Sequence, residues 1–211
     1  AQAFARRIDK LPLPVRSAPG FLVNRILMPY LLEAIVLESE GVPRNIIDRA
    51  AKRFGMPMGP LELADTVGLD ICLHVGEILA QELGGEVPST LRRLVEAGRL
   101  GRKSGRGFYE WKKGKPVRGK RRHETNGGAD LEDRLMLRLI NEAVAVLREG
   151  IVGEADLLDA GVIFGTGFAP FRGGPLYYLN TRGRDKVKLR LEELAHRYGE
   201  RFSADAGFGA A

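Results

Sequence analysis

The chain repeats itself. EAIVLESEG at 33–41 aligns with EAVAVLREG at 142–150, sharing Glu33/Glu142, Ala34/Ala143, Glu40/Glu149 and Gly41/Gly150. Phe54-Gly55 then meets Phe164-Gly165, and GPLELADTVG at 59–68 meets GPLYYLNTRG at 174–183. The order is kept while the offset grows from 109 to 115, as in a helical unit duplicated with insertions in its loops. Nine of the 19 positions in the two longer blocks are identical, so the chain is read as two copies of one module.

Each copy contains a helix that cannot stand in water. From Phe21 to Glu40 the residues FLVNRILMPYLLEAIVLESE are apolar on nearly every side, too long for a strand, and ended by Gly41. Pro29 should kink this helix. Helical periodicity returns from Leu131 to Glu149 and stops at Gly150. Such helices need cover on all faces, and two copies can cover each other. The expected fold class is therefore all-α, two tandem helical modules packed as an intrachain pseudo-dimer, the covalent counterpart of a symmetric homodimer.

Proline and glycine punctuate the rest. Pro43 opens a helix whose apolar positions Ile46, Ile47, Ala50 and Phe54 recur at helical spacing before Gly55. The turn GMPMGP is stiffened by Pro57 and Pro60, the latter placed as a first helical residue. Further helices are expected over 69–83 and 89–97, with Ser89 or Thr90 as the cap of the second. GRLGRKSGRGFYEW at 98–111 carries too many glycines for a helix and ends in aromatic anchors, so it reads as a pinned loop. The expected domain organisation is 1–16 as a connection from an earlier element, 17–111 as the first module, 112–128 as a basic linker and 129–211 as the second module. The opening AQAFARRIDKLPLPV suggests a piece of a longer protein.

Composition excludes several classes. No apolar run reaches the ~20 residues of a membrane span. The single cysteine, Cys72, rules out an intrachain disulfide and fits a reducing, cytoplasmic compartment. Three scattered histidines lack ligand spacing, which argues against a metal site. The net charge of +6 resides in KKGKPVRGKRR at 112–122, which holds seven basic residues and no acid. Outside it, 26 basic residues face 27 acidic ones. That stretch could meet phosphates, but it lacks interleaved aromatics and falls at a glycine-rich junction, so no nucleic-acid partner is expected.

Few residues could carry chemistry. Asn24 stands early in the apolar helix, where an unpaired buried amide costs about 1–3 kcal/mol. It either bonds to backbone or a neighbouring helix, or points into a cleft to orient a substrate or catalytic group. Its counterpart in the second copy is Asp133, so the amide is not required by the module. Arg102, Lys103 and Arg106 among glycines could cradle phosphates, or form a solvated basic turn. No nucleophile elbow occurs, Cys72 lies in an apolar helix, and His74, His123 and His196 stand apart.

APGFLVNRILMPYLLEA, GMPMGPLELADTVGLD and GRKSGRGFYEW resemble the C-terminal domain of L-3-hydroxyacyl-CoA dehydrogenases, NAD-dependent enzymes of fatty-acid β-oxidation. GVIFGTGFAPFRGGPLYYLNTRG is similar to the repeated module of the multifunctional fatty-acid oxidation complex α subunit. The resemblance implies oxidation of L-3-hydroxyacyl-CoA to the 3-oxoacyl-CoA, with NAD bound mainly by a separate domain that also supplies a catalytic histidine and glutamate. It implies no catalytic residue within this chain and no hydride transfer by the chain alone. Asn24 takes the place of the family's substrate-contacting asparagine, and Lys103 that of a lysine near the cofactor. Phe164 stands where multifunctional relatives often carry a substrate-contacting tyrosine. Met56, Pro57 and Met58 are expected to shape the acyl or CoA side of the cleft. Implied partners are NAD-binding and enoyl-CoA hydratase regions and a thiolase β subunit. A second reading is a non-catalytic helical interaction module.

Overall fold

Proline and glycine set the helix limits. The computed structural model describes residues 2–118 and 128–209, with only the backbone for 128 and 129. Helix α1 (Gln2–Arg7) precedes α2 (Val23–Ser39), which contains Pro29. Helix α3 (Arg44–Phe54) follows Pro43 and ends at Gly55, whose φ of 118° only glycine adopts readily. Helix α4 (Pro60–Val67) begins on its proline, and α5 (Leu69–Leu83) and α6 (Ser89–Glu96) complete the first half. Strands β1 (Glu110–Lys112) and β2 (Lys115–Val117) form an antiparallel hairpin in which Trp111 pairs with Pro116. The second half holds α7 (Gly128–Arg148), α8 (Ala155–Thr166), α9 (Pro175–Arg182) and α10 (Arg184–Tyr198). The expected all-α class holds, apart from the hairpin.

Three local expectations need correction. Residues 112–117 are hairpin rather than linker, because Lys113 and Gly114 both take positive φ and turn the chain back. The rest of the basic stretch, 119–127 with His123, lies outside the described residues. Helix α7 starts three residues before Leu131. Neither Ser89 nor Thr90 caps α6: Pro88 holds the extended N-cap position and Ser89 is already helical. In the second half the glycine ending the helix is Gly167, with left-handed φ, and not Gly165, which lies within α8.

Helices α2 and α7 make the most extensive contact in the molecule. Ile26, Tyr30, Leu31, Ala34, Ile35 and Leu37 of α2 are buried, as are Leu135, Met136, Leu139, Ile140, Ala143 and Val146 of α7. Around them α4, α5 and α8 cover α2, while α3 and α9 cover α7, so the apolar character on every side has its physical reason.

Ion pairs lock this contact reciprocally. The Nε of Arg25 donates to Glu142, and its two Nη atoms donate to Glu149 at 2.9 Å each. The Nε of Arg134 donates to Glu33 at 2.7 Å, and its Nη atoms donate to Glu40 at 2.7 and 2.9 Å. Arg25 and Arg134, Glu33 and Glu142, and Glu40 and Glu149 are related by the same 109-residue offset as the sequence repeat. Each half thus offers one guanidinium to two carboxylates of the other. Burial opposes the charge of Arg25, but its hydrogen bonds to Glu149 and Glu142 outweigh that and raise its pKa.

A second correspondence concerns two buried acids. Asp48 of α3 accepts a hydrogen bond from the backbone N–H of Leu61 at 2.9 Å, satisfying a first-turn donor of α4. Asp159 of α8 accepts from Leu176 and Tyr177 in the first turn of α9, at 2.8 Å each. A Cβ on Gly59 or Gly174 would strike the respective aspartate within 2.4 Å, so each glycine admits its acid.

Removing one partner of a buried pair strands the other charge. With Arg134 at 4% side-chain exposure and Glu33 at 0%, Glu33→Ala is expected to lower the unfolding free energy by about 3–5 kcal/mol in urea denaturation. Arg148→Ala, which breaks a half-exposed pair with Asp205, should cost no more than about 1 kcal/mol.

Candidate functional site

Asn24 lies in the first turn of α2 and is exposed. Among the described residues its amide has no hydrogen-bond partner, so the backbone or neighbouring-helix bond is not formed and the side chain stands in solvent. The chain enters this turn through Gly20 and through Phe21, which is 55% exposed with a φ of 50°. Such a backbone is costly for a bulky residue and marks a constrained approach to the helix.

Phe164 lies on α8, whose Gly165 approaches the start of α2 from the other half. Val23 beside Asn24 packs against Gly165, where a Cβ would lie 2.5 Å from its Cγ2. Asn24 and Phe164, the latter 75% exposed, therefore flank the α2–α8 contact. The proline-locked turn closes in from a third side: exposed Pro57 abuts Gly167, Met56 is buried and Met58 is half-buried. Phe168 stacks edge-on against Phe54 at 5.4 Å, and Arg172 lies 4.1 Å over the same Phe54 ring. Apolar side chains of both halves thus surround the end of α8 and the turn after α3, with the exposed amide of Asn24 at the start of α2.

Lys103 is elsewhere. Its Nζ contacts Asp70 at 2.6 Å near the start of α5, and the hydrogen bond from Lys103 leads the causes that hold the Asp70 carboxyl below its usual range. Gly20 touches Leu79 further along that helix, so ~14 Å of α5 separates Asp70 from the Asn24 end.

Sequence reading passed over the acids that hold these loops. Asp65 of α4 accepts hydrogen bonds from the N–H groups of Phe108 and Tyr109 at 2.8 and 2.9 Å, and from Trp111 Nε1 at 2.9 Å. A Cβ on Gly107 would lie 2.0 Å from the Asp65 carboxylate, and one on Gly101 2.2 Å from its carbonyl oxygen. The glycines of GRKSGRGFYEW thus let the loop approach Asp65. Asp48 also accepts from the Tyr109 hydroxyl at 2.7 Å. Burial pushes the Asp48 carboxyl up to about 6, against the opposing hydrogen bond from Tyr109. The signal available in sequence was an acid inside the apolar helix LELADTV. Cys72 is buried, and burial raises its thiol to about 12, which leaves it unreactive. His74 and His196 are exposed. No group of three metal-ligating side chains occurs among the described residues, and no described helix is long and apolar enough to cross a membrane.

Part of this helical body matches a known class: residues 20–111 match the 3-hydroxyacyl-CoA dehydrogenase C-terminal domain family. Over its length the chain is similar to fatty acid oxidation complex α subunits. The one from Shewanella amazonensis is 39% identical across 97% of this chain and 31% of that protein. The chain thus spans about a third of the length of these curated relatives. The crystal structure of 3-hydroxybutyryl-CoA dehydrogenase from Escherichia coli shares the fold, with a TM-score of 0.82 over 98% of this chain and 62% of that one at 23% identity. The (S)-3-hydroxybutyryl-CoA dehydrogenase of Ralstonia eutropha is 41% identical over 53% of this chain and 41% of that one, with a TM-score of 0.51.

Asp65→Ala leaves three donors without their acceptor and should cost about 3 kcal/mol or more, read from urea denaturation followed by Trp111 fluorescence. Asp48 binds its proton more tightly folded, at about 6, than unfolded, near 3.8. Stability should accordingly fall as pH rises from 3.8 through 6 and level off above. Asp48→Asn keeps the bond from Leu61, turns the other round so that the amide donates to the Tyr109 hydroxyl oxygen, and should remove this contribution to the slope in denaturation curves taken across the pH range.

Proposed function

We propose that this chain is the substrate-side helical part of an enzyme oxidising L-3-hydroxyacyl-CoA to 3-oxoacyl-CoA with NAD. The observation carrying this reading is the free amide of Asn24, exposed at the start of α2, in the part of the chain that matches the dehydrogenase family. An amide so placed donates to a thioester or hydroxyl oxygen and accepts from an imidazole, holding the two in register. Proton removal from the 3-hydroxyl then falls to a histidine outside this sequence. In this reading residues 17–111 form the first module, 129–211 the second, and the two clasp through α2 and α7 as an intrachain pseudo-dimer that leaves only the first facing substrate.

The described residues do not form a cradle for NAD. Their only strands are the β1–β2 hairpin, which supplies no strand-to-helix phosphate turn, and Lys103 is held by Asp70. No step is routed through the cofactor here. Lys103 meets a nucleotide phosphate only by exchanging that carboxylate for it. Phe164 contributes apolar surface and no hydroxyl. The same reading assigns enoyl-CoA hydratase and NAD-binding regions, and a thiolase partner, to the parent assembly in the cytoplasm.

Asn24→Ala in the parent enzyme should lower kcat/KM for 3-hydroxyacyl-CoA by about 10²-fold. Because the side chain is exposed, thermal stability should stay within about 0.5 kcal/mol of wild type. Unchanged turnover removes the positioning role.

A further inference from the structure

At the other end of α2 from Asn24, ~21 Å along the helix, a cleft of about 920 Å³ opens between the α2–α3 junction and the glycine loop. Arg44, Arg99 and Arg106 line it together with Asn45, and the carboxylates at its wall are Glu38 and Glu110. Glu38 is engaged, accepting from the Nε of Arg44 at 2.8 Å and from its Nη2. Donors therefore outnumber the acceptors left to meet them.

Arg99 gives one Nη2 bond to the Gly107 carbonyl, while its Nε is buried with no partner among the described residues. The Asn45 amide nitrogen is likewise buried and unpartnered. Arg106 is exposed and its guanidinium meets no hydrogen-bond or ion-pair partner among the described residues. Burial first, and then the charges of Arg106 and Arg44, depress the pKa of Arg99. Asp65 and Glu38 offset this crowding of charge only in part, and among the described residues neither makes an ion pair with Arg99 or Arg106. The helix beginning at Arg44 adds to this, because no side chain caps it and its first turn points positive partial charge at the same cleft.

Unsatisfied buried donors and crowded cations are stabilised together by one kind of ligand, an oxyanion with several acceptor oxygens. Arg44 is already satisfied by Glu38 and the Phe108 carbonyl, which leaves two guanidinium groups and an amide, more than the two oxygens of a single carboxylate serve together. The volume admits more than a free ion, at the scale of small-molecule sites. We propose that this cleft binds the diphosphate group of a small molecule, with Arg99 and Arg106 gripping its oxygens and Asn45 completing the set. Free diphosphate and a nucleoside diphosphate share that chemistry, and the comparison below separates them. The proposal stands on the cleft alone and does not depend on the dehydrogenase reading.

Calorimetric titration of the 211-residue chain with pyrophosphate, ADP and adenosine tests it. Pyrophosphate should bind with a Kd below about 1 mM, ADP at least as tightly if the nucleoside also finds contacts, and adenosine not measurably. Arg106→Gln sits in an exposed turn without side-chain partners, so it should fold normally and weaken pyrophosphate binding by at least about tenfold. Lys188→Gln, which removes one exposed charge from α10, should leave the affinity unchanged. Absence of pyrophosphate binding at millimolar concentration overturns the proposal. So does equal affinity in Arg106→Gln, a matching loss in Lys188→Gln, or adenosine binding as well as ADP.

Discussion

Where α2 meets α7, two guanidinium groups and four carboxylates are withdrawn partly or wholly from water, and they do so in matching fashion. Desolvating each ion costs several kcal/mol, so these forks are a weak source of net stability compared with the apolar side chains around them. Their physical contribution is register. Two helices apolar on most sides can slide by a turn and still bury Leu, Ile and Ala, but only one alignment satisfies both arginines at once. With that alignment fixed, α8 packs against Leu22 and Val23 at the start of α2, next to Asn24 in the chain.

Smaller acid clamps extend the same logic outward. Asp48 and Asp159 fix the first turns of α4 and α9, and Asp65 draws the glycine loop against α4. Each replaces a water shell with backbone donors and needs a glycine opposite it. The halves then diverge. The position corresponding to Asp65 in the second half is Asn180, which is exposed and clamps nothing. Only the first half therefore presents a basic glycine loop.

How legible was this in the sequence? Helix limits at Pro43, Gly55 and Pro60 were readable because those residues act locally. The hairpin at 110–117 was not, since lysine and glycine look the same in a solvated linker and in a two-residue turn. At Phe54-Gly55 and Phe164-Gly165 identity and conformation part: Gly55 is a left-handed cap, whereas in the second half that cap is Gly167. Asn24 was legible as a polar residue in an apolar helix. Its exposure depends on Gly20 and Phe21 turning the chain at the helix start, a tertiary matter. The pairing of Arg25 with Glu142 and Glu149 was implicit in the repeat, but nothing local showed that the arginines point across.

If the forks fix one register for the whole molecule, the two halves unfold as one unit. Urea denaturation can be followed at once by fluorescence of Trp111, the chain's single tryptophan, and by hydrogen exchange of the α10 amides of Val187, Leu191 and Leu194. The account predicts coincident midpoints that move together in Arg134→Met. Separate transitions, or a shift confined to one half, would contradict it.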